Sequence, residues 1–167
     1  MKKLMLSVVV LGLLAGCASQ GTKDKAVVEE RGTGATTAGM EDKGVGMDPL
    51  HDPNNILSKR SVYFDFDKYD VKDEYKPLVE AHAKYLSGNK AANVVLQGNA
   101  DERGSREYNL ALGQRRAEAV KKMMNVLGVS DSQMETVSFG EEKPVAECHE
   151  ESCWSQNRRT DIVYKGE

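Results

Sequence analysis

The apolar positions of this 167-residue chain fall into four patterns. Leu4 to Leu14 is nearly continuous and apolar, but too short to span a bilayer comfortably. Ala18 to about Asn55 has no apolar period and no aromatic residue; Gly, Thr, Ala, Asp and Glu dominate. A segment of that composition cannot bury enough surface to offset its ordering entropy, so a flexible tether is expected there. Its roughly forty residues would give a typical end-to-end distance of roughly 35 Å. From Ser58 onward, periods of two and 3.6 alternate. Ser61 to Asp67 sets Val62, Phe64 and Phe66 against Tyr63 and Asp65, the mark of a strand. Asp73 to Ser87 places Tyr75, Leu78, Val79, His82 and Leu86 at helical spacing, with Pro77 in the first turn and Gly88-Asn89 as the stop. Ala92 to Gly98 holds Val94, Val95 and Leu96, an apolar run suited to a central strand. Asn109 to Leu127 predicts a second helix, ended by Gly128, and Met134 to Phe139 a third strand after a short helical turn. Gly140 to Gln156 reads as a long loop, and Arg159 to Lys165 as a closing strand. The order is βαβαββ. It predicts an α+β sandwich: one mixed sheet with helices packed on one face.

Charge and cysteines then narrow the setting. Lys2 and Lys3 precede the apolar run, and Leu14-Ala15-Gly16-Cys17 closes it with small residues before a cysteine. This is the pattern of a bacterial lipobox, with an ordinary secretory signal as the rival reading. Residues 1–16 are therefore expected to be a lipoprotein signal peptide, Cys17 the lipidated residue, 17–57 the tether and 58–167 the folded domain. Removing Lys2 and Lys3 from the 23 basic residues leaves 21 against 26 acidic ones, which moves the formal charge from −3 to −5. An acidic exported chain with no basic block is a poor nucleic-acid binder. Cys148 and Cys153 remain. In an oxidising compartment a disulfide is expected. The rival is a metal site with His149, which would leave three ligands within six residues and no fourth nearby.

One polar position breaks the apolar stripe of the second helix. Asn109, Leu112, Arg116, Val120, Met123 and Leu127 recur at three- and four-residue steps, and Arg116 is charged. A guanidinium on a core-facing stripe needs a partner. Arg115 points elsewhere and reads as solvated. Asp101 lies just past the central strand, in a loop bounded by Gly98 and Gly104 that allow tight turns. The Arg116 side chain leans toward the helix start and so toward Asp101. Two readings stand. Asp101 and Arg116 form an internal salt bridge that fixes the loop, or both face a shared pocket, with Arg116 gripping a carboxylate and Asp101 an ammonium. His82 and Trp154 read as packing residues. Arg158 and Arg159 read as strand-start ion pairs, one of which flanks the pocket.

Several ordered blocks carry a resemblance. Asn109-x-x-Leu112-Gly113-x-x-Arg116-Ala117-x-x-Val120 resembles the Asn-x-x-Leu-Ser-x-x-Arg-Ala-x-x-Val pattern of the OmpA-like peptidoglycan-binding family. Val62 to Tyr69 is similar to the family's opening strand. Gly98-Asn99-Ala100-Asp101-Glu102-Arg103-Gly104 is similar to its Gly-His-Ala-Asp-Glu-Arg-Gly loop, and Asn157-Arg158-Arg159 to its terminal Asn-Arg-Arg. Asn99 stands where His is usual and Gly113 where Ser is usual; the cysteine pair is not general in the family's lipoproteins.

The resemblance implies non-covalent binding to peptidoglycan at the diaminopimelate of the stem peptide. Asp101 and Arg116 would be the chief contacts, Phe66 and Asp67 would line the pocket, and Tyr69, Arg103, Asn109 and Leu112 would complete it. It further implies TolB and other Tol–Pal components as partners, a lipid anchor in the outer membrane, a domain in the periplasm, and a role linking outer membrane to wall in envelope integrity and cell division. A protein-only adaptor that does not touch the wall is the alternative. No enzyme is expected: no nucleophile elbow, metal-ligand spacing or opposed carboxylate pair is present. No cofactor and no metal are expected.

Overall fold

A computed structural model describes residues 48–167. The expected signal peptide, the expected lipidation site Cys17 and most of the expected tether lie outside the described residues. The sheet has four strands: β1 (Ser61–Tyr63), β2 (Val94–Asn99), β3 (Met134–Gly140) and β4 (Arg159–Tyr164), in the spatial order β1-β4-β2-β3. β2 runs parallel to β3, and β4 is antiparallel to both β1 and β2, so the sheet is mixed, as expected. Helices α1 (Lys76–Gly88) and α2 (Arg106–Val126) supply the second layer. Their Leu78, Val79, Ala83, Leu86, Ala117, Val120 and Met124 pack with Val62, Val94, Leu96, Ile162 and Tyr164 of the sheet in one core.

The element boundaries depart from the sequence reading in three places. The expected loop 140–156 contains a third helix, α3 (Glu151–Asn157), which makes the order βαβαβαβ. Seven residues are too few to show a helical period, and a helix that short depends on tertiary contacts. The ordered chain also starts before residue 58. Leu50 and Leu57 are buried members of the core, and Asn55 caps a short 3-10 turn over Ile56–Ser58. The low apolar content of the preceding segment hid these two anchors. Finally, β1 stops at Tyr63. Asp67 adopts a left-handed backbone, φ 58°, inside a turn closed by Lys68 N donating to Asp65 O at 3.2 Å. That turn takes Phe66 out of the alternation begun by Val62 and Phe64 and leaves it 56% exposed.

Two glycines let α2 approach the sheet. A Cβ on Gly98 would lie 1.8 Å from the Gly113 carbonyl oxygen, and one on Gly113 would lie 2.4 Å from Ser138 Oγ. Gly98 is thus a contact glycine rather than the turn residue expected. Gly104, at φ 111°, makes the turn that leads into α2. His82 is fully buried as a core residue; its ring nitrogens meet Tyr164 Oη at 2.8 Å and the Lys59 carbonyl at 2.9 Å. Burial pushes its pKa below the ordinary value, against the upward pull of the Lys59 contact.

Candidate functional site

A recess of about 200 Å³ opens where the turn after β1, the loop after β2 and the first turns of α2 meet. Phe66, Asp67, Asp101, Arg103, Asn109, Leu112 and Arg116 all line it. Tyr69, the remaining residue of the expected set, lies elsewhere: it lines a separate groove with Arg115, whose guanidinium sits 5.9 Å from its ring centroid. Gly104 and Tyr108 complete the recess and were not expected. The Tyr108 hydroxyl donates to Asp67, whose carboxylate holds the phenol above its ordinary pKa. The signal for Tyr108 was faint. It follows Ser105 by three residues, and Ser105 Oγ caps α2 by accepting from Tyr108 N at 3.2 Å.

Arg116 is fully buried. It makes no salt bridge with Asp101, though both residues line the recess. It donates to three backbone carbonyls: Nε to Lys68 at 2.8 Å, Nη1 to Asn99 at 2.8 Å and Nη2 to Asp65 at 3.2 Å. The guanidinium therefore ties the turn after β1 to the end of β2, across the floor of the recess. Five N–H groups minus these three leave one on each terminal nitrogen. Burial pushes its pKa down to about 10, so it stays charged at neutral pH.

The partners of Asp101 are Arg103 and Arg158, not Arg116. Oδ1 accepts from Arg103 N at 3.1 Å; Oδ2 accepts from Arg103 Nη2 at 2.6 Å and Arg158 Nη1 at 3.2 Å. Burial raises the Asp101 pKa, but the bonds from Arg103 and Arg158 outweigh it and hold the carboxyl below its ordinary value. Oδ1 keeps one acceptor position free of these contacts. Arg158 is buried beside the recess, held also by the Phe64 carbonyl at 3.1 Å and by Glu151. Arg159 forms the other expected strand-start ion pair, with Asp161 at 2.9 Å. Asn109 is 1% exposed and donates to Glu141. Asn99, in the usual His position, is also buried; its amide donates to the Gln97 carbonyl at 3.0 Å, while its Oδ1 has no partner.

Cys148 and Cys153 are joined by a disulfide, Cα to Cα 5.5 Å. His149 meets Glu102 rather than the cysteines, at 2.8 Å. The recess thus presents carboxylates from Asp67 and Asp101 beside guanidinium groups from Arg103 and Arg116, with apolar walls from Phe66 and Leu112. It suits a small zwitterion carrying an amine and a carboxylate. It offers no activated nucleophile.

Comparison with known proteins gives the family. The model of the OmpA family matches residues 63–158. The chain is 42% identical over 164 residues to a peptidoglycan-associated lipoprotein of Pasteurella multocida, covering 98% of this chain and 100% of that one. It is 52% identical over 104 residues to the corresponding protein of Haemophilus influenzae, across 62% of this chain and 68% of that one. Among solved structures, the peptidoglycan-associated lipoprotein of Burkholderia pseudomallei superposes with a TM-score of 0.70 at 59% identity, over 71% of this chain and all of that one. The C-terminal domain of Helicobacter pylori MotB shares the fold at 20% identity, TM-score 0.60, over 65% of this chain and 86% of that one. A family match spanning Tyr63 to Arg158 takes in the turn after β1, the Asp101 loop and the whole of α2, and on it this chain belongs to the OmpA family.

Proposed function

We propose that this protein is an outer-membrane lipoprotein that holds the cell wall non-covalently, through the diaminopimelate of the peptidoglycan stem peptide. The observation that carries the proposal is the recess itself. It gathers two carboxylates and two guanidinium groups within about 200 Å³, matched to a residue that bears both an amine and carboxylates. Asp67 and the open position of Asp101 take the ammonium. The two remaining Arg116 N–H groups and Arg103 take a carboxylate, with Phe66 and Leu112 against the methylene chain. The names of the Pasteurella and Burkholderia relatives support the wall as the ligand.

Lipid on Cys17 would anchor the chain at the outer membrane, and the residues that follow would tether the domain in the periplasm. One pocket on a small ligand binds weakly. Beside a repeating polymer, the anchor raises effective concentration and turns weak contacts into durable attachment. Through TolB and the other Tol–Pal components, the same attachment would serve envelope integrity and division. No enzymatic step is assigned.

The test is sedimentation of the protein with purified insoluble wall sacculi, in competition with a soluble diaminopimelate-containing stem peptide. Wild type is expected in the pellet and released by the peptide; Asp67→Asn is expected to stay largely in the supernatant while remaining folded. Pelleting of Asp67→Asn at the wild-type level, or failure of the peptide to compete, would overturn the assignment of the recess.

A further inference from the structure

We propose that Trp154 is a positioning residue for the recess: its ring clamps Arg103 in place, and the Cys148–Cys153 bridge fixes the segment that carries it. The proposal rests on the wall-binding reading above and adds a redox dependence to it.

The Arg103 guanidinium lies between two ring faces, 4.0 Å from the Phe66 centroid and 4.1 Å from the Trp154 centroid. Its Nη2 reaches Asp101 at 2.6 Å and Glu151 at 3.5 Å, while its Nε is buried without a hydrogen-bond partner. The rings, more than hydrogen bonds, therefore define its plane. A long guanidinium side chain on a loop otherwise samples many rotamers. Phe66 is a weak jaw, exposed on its own turn. Trp154 is the stronger one, because its Nε1 donates to Glu102 at 2.8 Å, the residue beside Arg103.

Trp154 sits on α3, whose seven residues cannot sustain a helix alone. Four ties fix that helix, one of them through Asn157, whose side chain accepts from Val145 N at 2.8 Å and Ala146 N at 3.1 Å and donates to the Ala146 carbonyl at 2.7 Å. The disulfide joins Cys153, the neighbour of Trp154, to Cys148 in the preceding loop. Glu102 receives both His149 and Trp154. Glu151 receives Arg158, which in turn holds Asp101. Opening the bridge removes the only covalent tie among these. A dithiol reductant supplies two electrons and two protons and closes its own disulfide; Cys148 and Cys153 become two thiols. Trp154 then leaves Arg103 for part of the time, and the cationic side of the recess loosens.

Trp154 is the only tryptophan in the chain, so its fluorescence reports on the clamp without any ligand. The full chain in detergent is expected to show a shifted emission maximum and greater iodide quenching after treatment with dithiothreitol, and in Arg103→Ala. In the sacculus assay, Trp154→Ala is expected to weaken binding about three- to tenfold, the range of a partly desolvated cation–π contact. Trp154→Phe, which keeps a ring face, is expected to restore most of that loss. Cys148→Ser/Cys153→Ser is expected to match dithiothreitol-treated wild type. In an Arg103→Ala background, Trp154→Ala should cost nothing further; that readout separates positioning of Arg103 from general loss of structure.

Wild-type affinity in Trp154→Ala, or an equal loss with Arg103 present and absent, would overturn the proposal. If wild type does not pellet with sacculi, the wall-binding reading fails on its own. The fluorescence arm still decides the clamp: unchanged emission and quenching in both Arg103→Ala and the reduced protein refutes it.

Discussion

Replacing Arg116 with lysine isolates what the guanidinium does. Arg116 is fully buried, and its three bonds to the carbonyls of Lys68, Asn99 and Asp65 join the turn after β1 to the end of β2. A lysine ammonium keeps the charge but is a single point on a flexible stem. It can reach one carbonyl, at most two. At least one acceptor, and more often two, loses its charged partner; of the three bonds only the one to the Asn99 carbonyl is fully buried. A charge-assisted bond contributes about 1.5–3 kcal/mol, and an orphaned buried carbonyl costs a similar amount. Two lost bonds therefore remove about 4 kcal/mol, a large share of the roughly 5–15 kcal/mol that holds a domain folded. For a domain of this size that corresponds to a fall in Tm of about 15 °C. Urea denaturation followed by far-UV circular dichroism reads the change directly, and the Tm gives an independent value. Binding to sacculi should be scored only on the folded fraction. If Arg116→Lys unfolds within about 1 kcal/mol of wild type yet fails to bind, Arg116 is a ligand contact alone and the bracing role is refuted.

Other perturbations separate stability from binding. Asp67→Gly should stabilise slightly, by up to about 1 kcal/mol, because glycine accepts the φ of 58° without penalty, and should abolish most wall binding by removing the exposed carboxylate; chemical denaturation and sedimentation measure the two effects on one sample. Gly113→Ala should destabilise by about 1–2 kcal/mol despite its better helix propensity, since the new Cβ would lie 2.4 Å from Ser138 Oγ and 2.8 Å from the Gly98 carbonyl; adding Ser138→Gly should recover part of the loss in a urea titration. His82 has a folded pKa below its unfolded value of about 6.5, so the unfolded chain binds the proton first and stability falls as pH drops below about 6.5; His82→Gln should be less stable at neutral pH and lack that slope in denaturation curves between pH 7 and 5.

Periodicity is legible where an element is long and one-sided. The apolar stripe of α2 placed Leu112, Val120 and Arg116 on the core face, and the run at Val94 to Leu96 became the strand between β4 and β3. It fails where tertiary contacts decide. α3 exists because Trp154, Glu151 and the Cys148–Cys153 bridge tie it down, and none of these leaves a helical period. Phe66 kept the strand alternation of Val62 and Phe64 in sequence, but the left-handed turn at Asp67 sent it to the recess instead of the core. Tyr69 shared the same stretch and ended in a different groove for the same reason. The salt-bridge reading of Asp101 and Arg116, one of the two left open, rested on helical phasing, which gives direction but not what lies between. The end of β2 intervenes, and its carbonyl takes the Arg116 bond.

Several local exceptions gather at one place. Asp67 is the only non-glycine with positive φ among the described residues, Arg116 is a fully buried cation, and Asn99 and Arg103 each carry a buried polar atom with no partner. Ser87, Gln133 and Thr160 also carry unpaired buried atoms and Arg158 is a second buried cation, so such features are not confined to the recess, but each costs stability by itself. Asp67, Arg103 and Arg116 line one recess, and the Asn99 carbonyl anchors its floor. A core built for stability alone would place an apolar residue at 116 and a glycine at 67. Keeping charge and strain together at this one place makes physical sense if the recess must meet a charged ligand with groups already fixed, so that little ordering remains to be done on binding.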